Sequence, residues 1–194
     1  MKYYYKDMEF DVPEDVYYPR EDSELLAKTL ESMELKSKNV LEMGSGCGFL
    51  SILMAKRGAS VTAVDINEDA VNATKENARK NSAEILAHVS DMFGNVRGKF
   101  DTIVFNPPYL PVGEDEDDET YAGGTTGREI IEMFVSYVPS YLKENGTVII
   151  VISSLTGEGE VISLFGQAGM EAYTVAKEKV SWEELIVIEA SKEK

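Results

Sequence analysis

The sequence predicts an α/β fold with a doubly wound, mostly parallel sheet of seven strands, helices on both faces and an antiparallel C-terminal hairpin. Two observations predict this fold. The spacing of apolar residues switches repeatedly between about 2 and about 3.6 residues, so strand-like and helix-like segments alternate. Repeated strand–helix units form parallel sheets that are covered on both faces. The last two strand-like segments are joined by only a few residues, which is too short for a parallel crossover.

Each element follows from a local pattern. The predicted strands cover residues 38–43, 60–65, 84–89, 100–105, 147–152, 172–178 and 183–190. The predicted helices cover residues 21–34, 49–57, 67–80, 127–142 and 159–168. The first four helices carry apolar stripes at helical spacing: Leu25, Leu26 and Leu30; Leu50, Leu53 and Met54; Ala70, Val71, Thr74 and Ala78; Ile130, Ile131, Phe134, Val135 and Val138. The strand over 147–152 is strongly β-branched, which favours a buried position in the sheet.

The length of 194 residues predicts a single domain. Residues 1–35 are expected to form an N-terminal strap and helix packed on it. The strap is rich in aromatic residues, namely Tyr3, Tyr4, Tyr5, Phe10, Tyr17 and Tyr18. It either packs over the carboxyl edge of the sheet or only covers the core. Trp182 is expected to pack at the start of the last strand.

Composition excludes several classes of function. Nineteen basic residues face 35 acidic ones, for a net charge of −16, which repels the phosphates that dominate non-specific nucleic-acid binding. No apolar run reaches the roughly 18 residues of a membrane span, and the N-terminus has no signal-peptide core. With one cysteine, Cys47, and one histidine, His88, we expect no disulfide and no metal site. We therefore expect a cytoplasmic protein. Residues 114–119 are all acidic and form either a mobile surface loop or a segment that steers a basic partner.

A glycine loop follows the first strand of the sheet. Its pattern is E-x-G-x-G-x-G from Glu42 to Gly48, and Phe49 occupies the third glycine position of a dinucleotide fingerprint. Gly44 and Gly46 allow the backbone to turn sharply and to approach a ligand closely. A carboxylate at the strand end suits a cationic ligand such as S-adenosylmethionine, which has an ammonium and a sulfonium group. A purely structural turn and a nicotinamide site remain alternatives.

Two further strand-end acids extend this site. Asp65 ends the second strand of the sheet, where a carboxylate can accept hydrogen bonds from both ribose hydroxyls. Helix capping is the alternative role for Asp65. Asp91 follows the third strand and can accept a hydrogen bond from an adenine amino group, or serve only as a turn residue.

The fourth strand runs into Asn106-Pro107-Pro108-Tyr109. The prolines fix φ and remove two N–H donors, so the corner presents the Asn106 side-chain oxygen and the Pro107 carbonyl as acceptors. This geometry suits a planar NH2 group, on which Tyr109 can stack. Two acceptors on such a nitrogen hold it in line with a methyl sulfonium, and their hydrogen bonds strengthen as it gains positive charge. A plain Asn-Pro turn after a buried strand is the structural alternative.

These motifs, in this order, resemble the class I S-adenosylmethionine-dependent methyltransferases that modify planar amino nitrogens. VYYPREDS at 16–23 and AGGTTGRE at 122–129 are similar to segments of the short eukaryotic–archaeal branch of the HemK/PrmC family. The resemblance covers about residues 12–190 and implies a Rossmann-like fold. The bacterial members have an extra N-terminal helical domain, for which we expect no room in this chain.

The resemblance implies a role for each matching residue and a protein substrate. Ser23, Glu42, Gly44, Gly46, Asp65, Asp91, Met92 and Asn106 would bind the cofactor, and Asn106, Pro107 and Tyr109 the target amide. The implied target is the glutamine in the Gly-Gly-Gln loop of a peptide chain release factor. Family members often pair with a small zinc-binding activator protein along the edge of the third strand. Ile85, Leu86 and Val89 would form that apolar edge here, unless they belong to a covered core strand.

Two other classes of function remain open on the sequence. A DNA or RNA adenine-N6 methyltransferase uses the same NPPY chemistry on a flipped base, but the acidic charge and the lack of a target-recognition segment disfavour it. A non-catalytic subunit that keeps the cofactor fold is the other alternative. The sequence also leaves open whether lysine or another amine is methylated.

Overall fold

A computed structural model describes residues 1–108 and 127–192 and confirms the predicted fold. The seven strands of the sheet are β3 (Asn39–Met43), β4 (Ser60–Asp65), β5 (Ile85–Val89), β6 (Phe100–Phe105), β7 (Leu142–Ser153), β8 (Met170–Lys179) and β9 (Glu184–Lys192). The helices are α1 (Glu21–Ser32), α2 (Phe49–Lys56), α3 (Glu68–Lys80), α4 (Glu129–Tyr141) and α5 (Glu158–Gln167). The strand order is β5-β4-β3-β6-β7-β9-β8.

The first five strands of this order are parallel, and the C-terminal pair is antiparallel. Because β4 lies on one side of β3 and β6 on the other, the order reverses at β3. Met43 at the end of β3 is in register with Val64 of β4 and Phe105 of β6. The residues that follow these strands therefore meet at one level of the sheet.

Two hydrophobic layers cover the two faces of the sheet. Val40 and Val104 face the layer that contains α1 and α2, whereas Leu41 and Ile103, their neighbours along the strands, face the layer that contains α4 and α5. Strands that are buried on both faces are expected to be almost continuously apolar. β7 is longer than the predicted 147–152 and covers Leu142–Ser153; its second half is buried, whereas Glu144 and Asn145 of the extension are exposed.

The N-terminal strap forms a hairpin that the sequence did not predict, with β1 (Lys2–Tyr5) antiparallel to β2 (Met8–Asp11). Tyr3, Tyr5 and Phe10 pack around the ring of Phe49 at the start of α2, with their ring centroids 4.9–5.5 Å from that of Phe49. The side chain of Asn77 on α3 bonds to both backbone groups of Asp11 at 2.8 Å. The strap therefore covers helices of one layer, and only its later part, from Asp15 onward, reaches the carboxyl edge of the sheet.

The surface differs from expectation at one position. Trp182 does not pack at the start of the last strand, because it lies in the turn before β9 and its side chain is 93% exposed.

β5 forms one edge of the sheet. Within the described parts of the chain, no helix is long and apolar enough to cross a membrane. The acidic run 114–119 lies outside the described residues.

Candidate active site

A cavity of about 680 Å³ opens at the carboxyl ends of β3, β4 and β6. Doubly wound sheets bind their ligands at this place, where the strand order reverses. The following predicted site residues line the cavity: Ser23, Glu42, Gly44, Gly46, Asp65, Asp91, Met92, Asn106 and Pro107. Tyr109 lies outside the described residues.

The glycine loop after β3 adopts a conformation that side chains rarely tolerate. Gly44, Gly46 and Gly48 have φ values of +68°, +52° and +83°, in the left-handed region where glycine has no steric penalty. A Cβ atom on Gly48 would lie 3.0 Å from three atoms of Thr74 on α3. The first two glycines thus shape the cavity, whereas the third allows α3 to pack closely against the loop.

Glu42 is a buried carboxylic acid, 3% exposed, on the wall of the cavity. Its one side-chain partner among the described residues is the hydroxyl of Ser51, which donates to Oε2. Burial raises the pKa of Glu42 to about 8, because removal from water penalises the charged form. A cationic ligand in the cavity would offset this penalty and favour the ionised carboxylate.

Asp65 is held by backbone N–H groups on both oxygens. Gly46 N donates to Oδ2 and Asn67 N donates to Oδ1, both at 2.9 Å. Burial nevertheless raises the pKa of Asp65 above its ordinary value. Because a carboxylate oxygen can accept more than one hydrogen bond, each oxygen retains capacity for a further donor. The capping role that the sequence left open belongs to Asn67, whose side chain caps α3 by accepting from Asp69 N.

The loop after β5 forms another wall of the cavity. Met92 has a φ of +43°, which is unusual for a residue with a long side chain. The hydroxyl of Ser90 supports this backbone by donating to the Met92 carbonyl at 2.7 Å and accepting from Asn95 N at 3.0 Å. Asp91 is exposed at the rim. The loop therefore presents an apolar side chain beside a carboxylate, which is suitable for a flat heterocycle with an amino group.

Asn106 is oriented by the N-terminal segment. Its Nδ2 donates to Oδ2 of Asp22 at 3.1 Å and to the Ser23 hydroxyl at 3.4 Å. The Tyr17 hydroxyl donates to the Asp22 carboxylate at 2.8–2.9 Å. Because the bonds to Asp22 and Ser23 both use the NH2 group of Asn106, they fix the orientation of its side-chain amide. Oδ1 of Asn106 is buried and has no hydrogen-bond partner among the described residues.

Several cavity residues were missed by sequence reasoning. Asp22 lies in the N-terminal segment that carries the resemblance, but its contact with Asn106 is long-range and no local pattern reports it. Ile130 and Met133 of α4 and the turn before β9 also line the cavity. Only the apolar stripe of α4 gave a signal, and it indicated a buried face rather than a binding site.

The fold and the cavity define an S-adenosylmethionine-dependent methyltransferase. The cavity lies where the strand order reverses and is bordered by the glycine loop. Glu42 suits the positive charge of that cofactor, and Asp65 suits its ribose. Asn106, with its buried acceptor oxygen, lines the same cavity. The chain belongs to the methyltransferase small domain family, whose model matches residues 20–179. Membership of this family confirms the resemblance that the motifs indicated.

The relatives with the highest identity reported below indicate the branch of the family to which this chain is similar. A protein of Methanocaldococcus jannaschii named as a protein N5-glutamine methyltransferase is 49% identical over 182 residues, covering 91% of each chain. Human methyltransferase HEMK2 is 31% identical over 193 residues, covering 92% of this chain and 90% of its own. These relatives are named as enzymes, so the alternative of a non-catalytic subunit loses support.

Solved structures support the same class. The Mtq2-Trm112 complex of E. cuniculi, responsible for methylation of the translation termination factor eRF1, matches with a TM-score of 0.77 at 26% identity, covering 92% of this chain and 99% of the other. Magnesium protoporphyrin IX methyltransferase of Synechocystis, solved with bound SAM, shares the fold with a TM-score of 0.68 at 17% identity, covering 91% and 86%. This second likeness supports the fold, and the family match supports the methyltransferase class.

Proposed function

We propose that this chain methylates the side-chain amide nitrogen of the glutamine in the Gly-Gly-Gln loop of a release factor. The observation that carries the proposal is Oδ1 of Asn106, which is buried and has no hydrogen-bond partner within the described ranges, while Asp22 and Ser23 hold the NH2 side of the same amide. A buried acceptor without a donor is costly, so the site is prepared for a donor from a ligand. The names of the relatives support glutamine as that ligand.

The cofactor would lie across the β3–β4–β5 side of the cavity and supply its sulfonium methyl group. In this proposal Ser23, Glu42, Gly44 and Gly46 hold its methionine end, Asp65 its ribose, and Asp91 and Met92 its adenine. Glu42 would be ionised beside the ammonium group, and the Asp65 carboxylate would accept hydrogen bonds from the ribose hydroxyls.

The residues around Asn106 would activate the amide nitrogen by positioning it. An amide nitrogen is a poor nucleophile because its lone pair is conjugated with the carbonyl. When Asn106 accepts one of its hydrogens, the nitrogen is held in line with the methyl group, and the hydrogen bond strengthens as charge develops. Pro107 fixes this corner, and Tyr109 is proposed to complete the pocket. As the N–C bond forms, the C–S bond would break and the sulfur would keep the electron pair, leaving S-adenosylhomocysteine. The methylated nitrogen is then cationic and acidic enough to pass its proton to water, so the site needs no strong base.

We also propose that a small zinc-binding activator, similar to the Trm112 chain of the E. cuniculi complex, pairs along β5. Leu86 and Val89 of this edge strand are 64% and 40% exposed, and Ile66 beside it is 69% exposed. Exposed apolar side chains on an open strand edge are typical of strand-addition interfaces. Because release factors act on ribosomes, we place the enzyme in the cytoplasm.

Labelled S-adenosylmethionine provides the test. The full chain is incubated with an intact release factor, with a variant factor carrying Gln→Ala in its Gly-Gly-Gln loop, and with duplex DNA, each with and without a Trm112-like activator. We expect label on the intact factor alone, at a higher rate when the activator is present. Label on DNA would favour the adenine-N6 alternative. No label on the intact factor, from a folded enzyme with activator present, would refute the proposal.

A further inference from the structure

The turn between β8 and β9 reaches the cavity from the far side of the sheet. Val180 and Glu183 line the cavity, although β8 is the edge strand opposite β5. Val180 N donates to the Glu183 carbonyl at 3.0 Å, which closes the turn and places Ser181 and Trp182 at its tip. None of the residues to which we assign cofactor binding lies on this hairpin.

Glu183 carries the decisive observation. Within the part of the chain that the structure describes, two buried side-chain oxygens have no hydrogen-bond partner, and they are Oε2 of Glu183 and Oδ1 of Asn106. Both residues line the same cavity. A carboxylate oxygen that is shielded from water without a donor is costly to the folded protein. Both atoms are therefore acceptors that a bound molecule would satisfy.

The neighbouring Glu184 differs from Glu183, because its side chain has a partner and does not line the cavity. Glu184 pairs with Lys177 at 3.3 Å, and its backbone N–H donates to the Ser154 hydroxyl at 3.0 Å. Ser154 N in turn donates to the Glu184 carbonyl at 2.8 Å. These bonds anchor the turn to the loop that follows β7. Glu183 is thus held at the cavity by a fixed backbone.

The same turn exposes a large apolar surface beside the cavity. Trp182 is 93% exposed. Leu155, which follows Ser154 in the loop after β7, is 58% exposed. Exposed aromatic side chains next to a cavity are typical of surfaces that bind another molecule, because they bury a large area at little cost in conformational entropy.

We propose that the β8–β9 turn selects the substrate peptide. Glu183 accepts a hydrogen bond from a main-chain N–H next to the target glutamine, and Trp182 packs against the same stretch of peptide. The turn lies on the β6–β7–β9–β8 side of the reversal point, together with Asn106 and opposite the cofactor residues, which favours the peptide over the cofactor as the occupant. Glycine residues beside the target leave their N–H groups uncovered. This inference rests on the proposed function and adds the residues that select its substrate.

Steady-state kinetics of single variants test the inference. The full chain, with a Trm112-like activator and a release factor, is compared with Glu183→Gln and Trp182→Ala. We expect the KM for the release factor to rise about tenfold in each variant, because Glu183→Gln leaves only a neutral acceptor in place of a charged one and Trp182→Ala removes an apolar contact. We expect kcat to change less than about threefold, and the Kd of the cofactor, measured by calorimetry, to stay at the wild-type value.

Two matched controls come from the same hairpin. Glu184→Gln removes an adjacent carboxylate that does not line the cavity, and Tyr173→Ala removes an aromatic side chain that is 51% exposed on β8. Both variants should have wild-type KM values. Melting temperatures of all four variants identify any that fail to fold, and Glu183→Ala replaces Glu183→Gln if that variant unfolds.

A direct signal is available because Trp182 is the only tryptophan of the chain. A tryptophan-free peptide from the release-factor loop should shift the Trp182 emission to shorter wavelength when it binds. If the wild-type enzyme methylates the release factor but the peptide leaves the emission unchanged and Glu183→Gln has a normal KM, the turn does not select the peptide. A rise in cofactor Kd instead would assign Glu183 to the cofactor. If the wild-type enzyme methylates no release factor, the proposed function fails and this inference fails with it.

Discussion

The two sides of the active-site cavity differ in how their oxygen atoms are satisfied. On the β3–β4–β5 side, Glu42 accepts from Ser51, and both oxygens of Asp65 accept from backbone N–H groups. On the β6–β9 side, Asn106 and Glu183 each retain a buried oxygen without a partner among the described residues. The first side is held in place by the protein's own donors, whereas the second depends on donors from outside.

Under the proposed function, the first side would recognise the cofactor and the second side the substrate. A cofactor shared by many enzymes is bound by groups that the local backbone has already oriented. A substrate that differs between enzymes is recognised by acceptors that remain costly until the right donors arrive. Substitutions on the first side should therefore act on cofactor affinity and stability, and those on the second side on transfer and substrate KM.

The largest effect is expected at Asn106. Asn106→Ala removes the acceptor on the reacting nitrogen, so kcat should fall by about 10³-fold, which corresponds to about 4 kcal/mol of transition-state stabilisation. Cofactor Kd, measured by calorimetry, should change by less than about threefold. Asn72→Ala on the exposed face of α3 serves as the control and should leave both values unchanged. A cofactor Kd that weakens as much as kcat falls would break the distinction between the two sides.

The next effect concerns stability and pH at Glu42. The unfolded chain loses the Glu42 proton near pH 4.5, whereas the folded protein keeps it until about pH 8. The folded state therefore binds more protons between these values, and the free energy of unfolding falls as pH rises, by on the order of 3 kcal/mol between pH 5 and pH 8. Glu42→Gln should remove this loss, so its melting temperature relative to wild type should be higher at pH 8 than at pH 5.

Glu171→Gln, an exposed position on β8, is the matched control for Glu42 and should show no such difference. Cofactor addition at pH 7 should also release protons in the wild type, because a cation favours the ionised carboxylate. Calorimetry in buffers of different ionisation enthalpy measures that release, which should be absent in Glu42→Gln. Equal release by the two proteins would contradict the place assigned to Glu42.

A smaller effect is expected from the residue that orients Asn106. Asp22→Ala removes the acceptor for Asn106 Nδ2 and frees the amide to rotate. The loss of a hydrogen bond to a charged group predicts a decrease in kcat of about 10- to 100-fold. Asp22→Asn retains an acceptor oxygen and should recover part of the rate. If Asp22→Ala leaves kcat unchanged while substrate KM rises, Asp22 contacts the substrate rather than orienting Asn106.

The smallest effect separates conformational strain from crowding in the glycine loop. Gly48→Ala places a Cβ 3.0 Å from Thr74 at a φ of +83°, whereas Gly98→Ala has a similar φ of +89° and no atom within 4 Å. Both should lose about 1 kcal/mol through backbone conformation, and Gly48→Ala should lose about 1 kcal/mol more. Urea denaturation measures both values. Equal losses of stability in the two variants would mean that the contact between Gly48 and Thr74 leaves room for a Cβ atom.

Much of the β3–β4–β5 side of the cavity could be predicted from the sequence. Glu42, Gly44 and Asp65 follow strands whose parallel pairing the helix–strand alternation already indicated, and the carboxyl ends of parallel strands meet at one edge. The N-terminal hairpin was missed because Tyr3, Tyr5 and Phe10 indicated packing without indicating a partner. The expectation for Trp182 was wrong because burial was inferred from residue type alone.

The sequence by itself determined the order of strands and helices, the glycine loop and the proline corner, because these depend on local spacing and on the backbone preferences of single residues. Only the tertiary structure decided that Asp22 orients Asn106 and that Glu183 shares its cavity. Those contacts join segments far apart in the chain through an antiparallel strand and an N-terminal helix. Periodicity carries no information about them, since it reports which face of an element is buried and not what lies opposite that face.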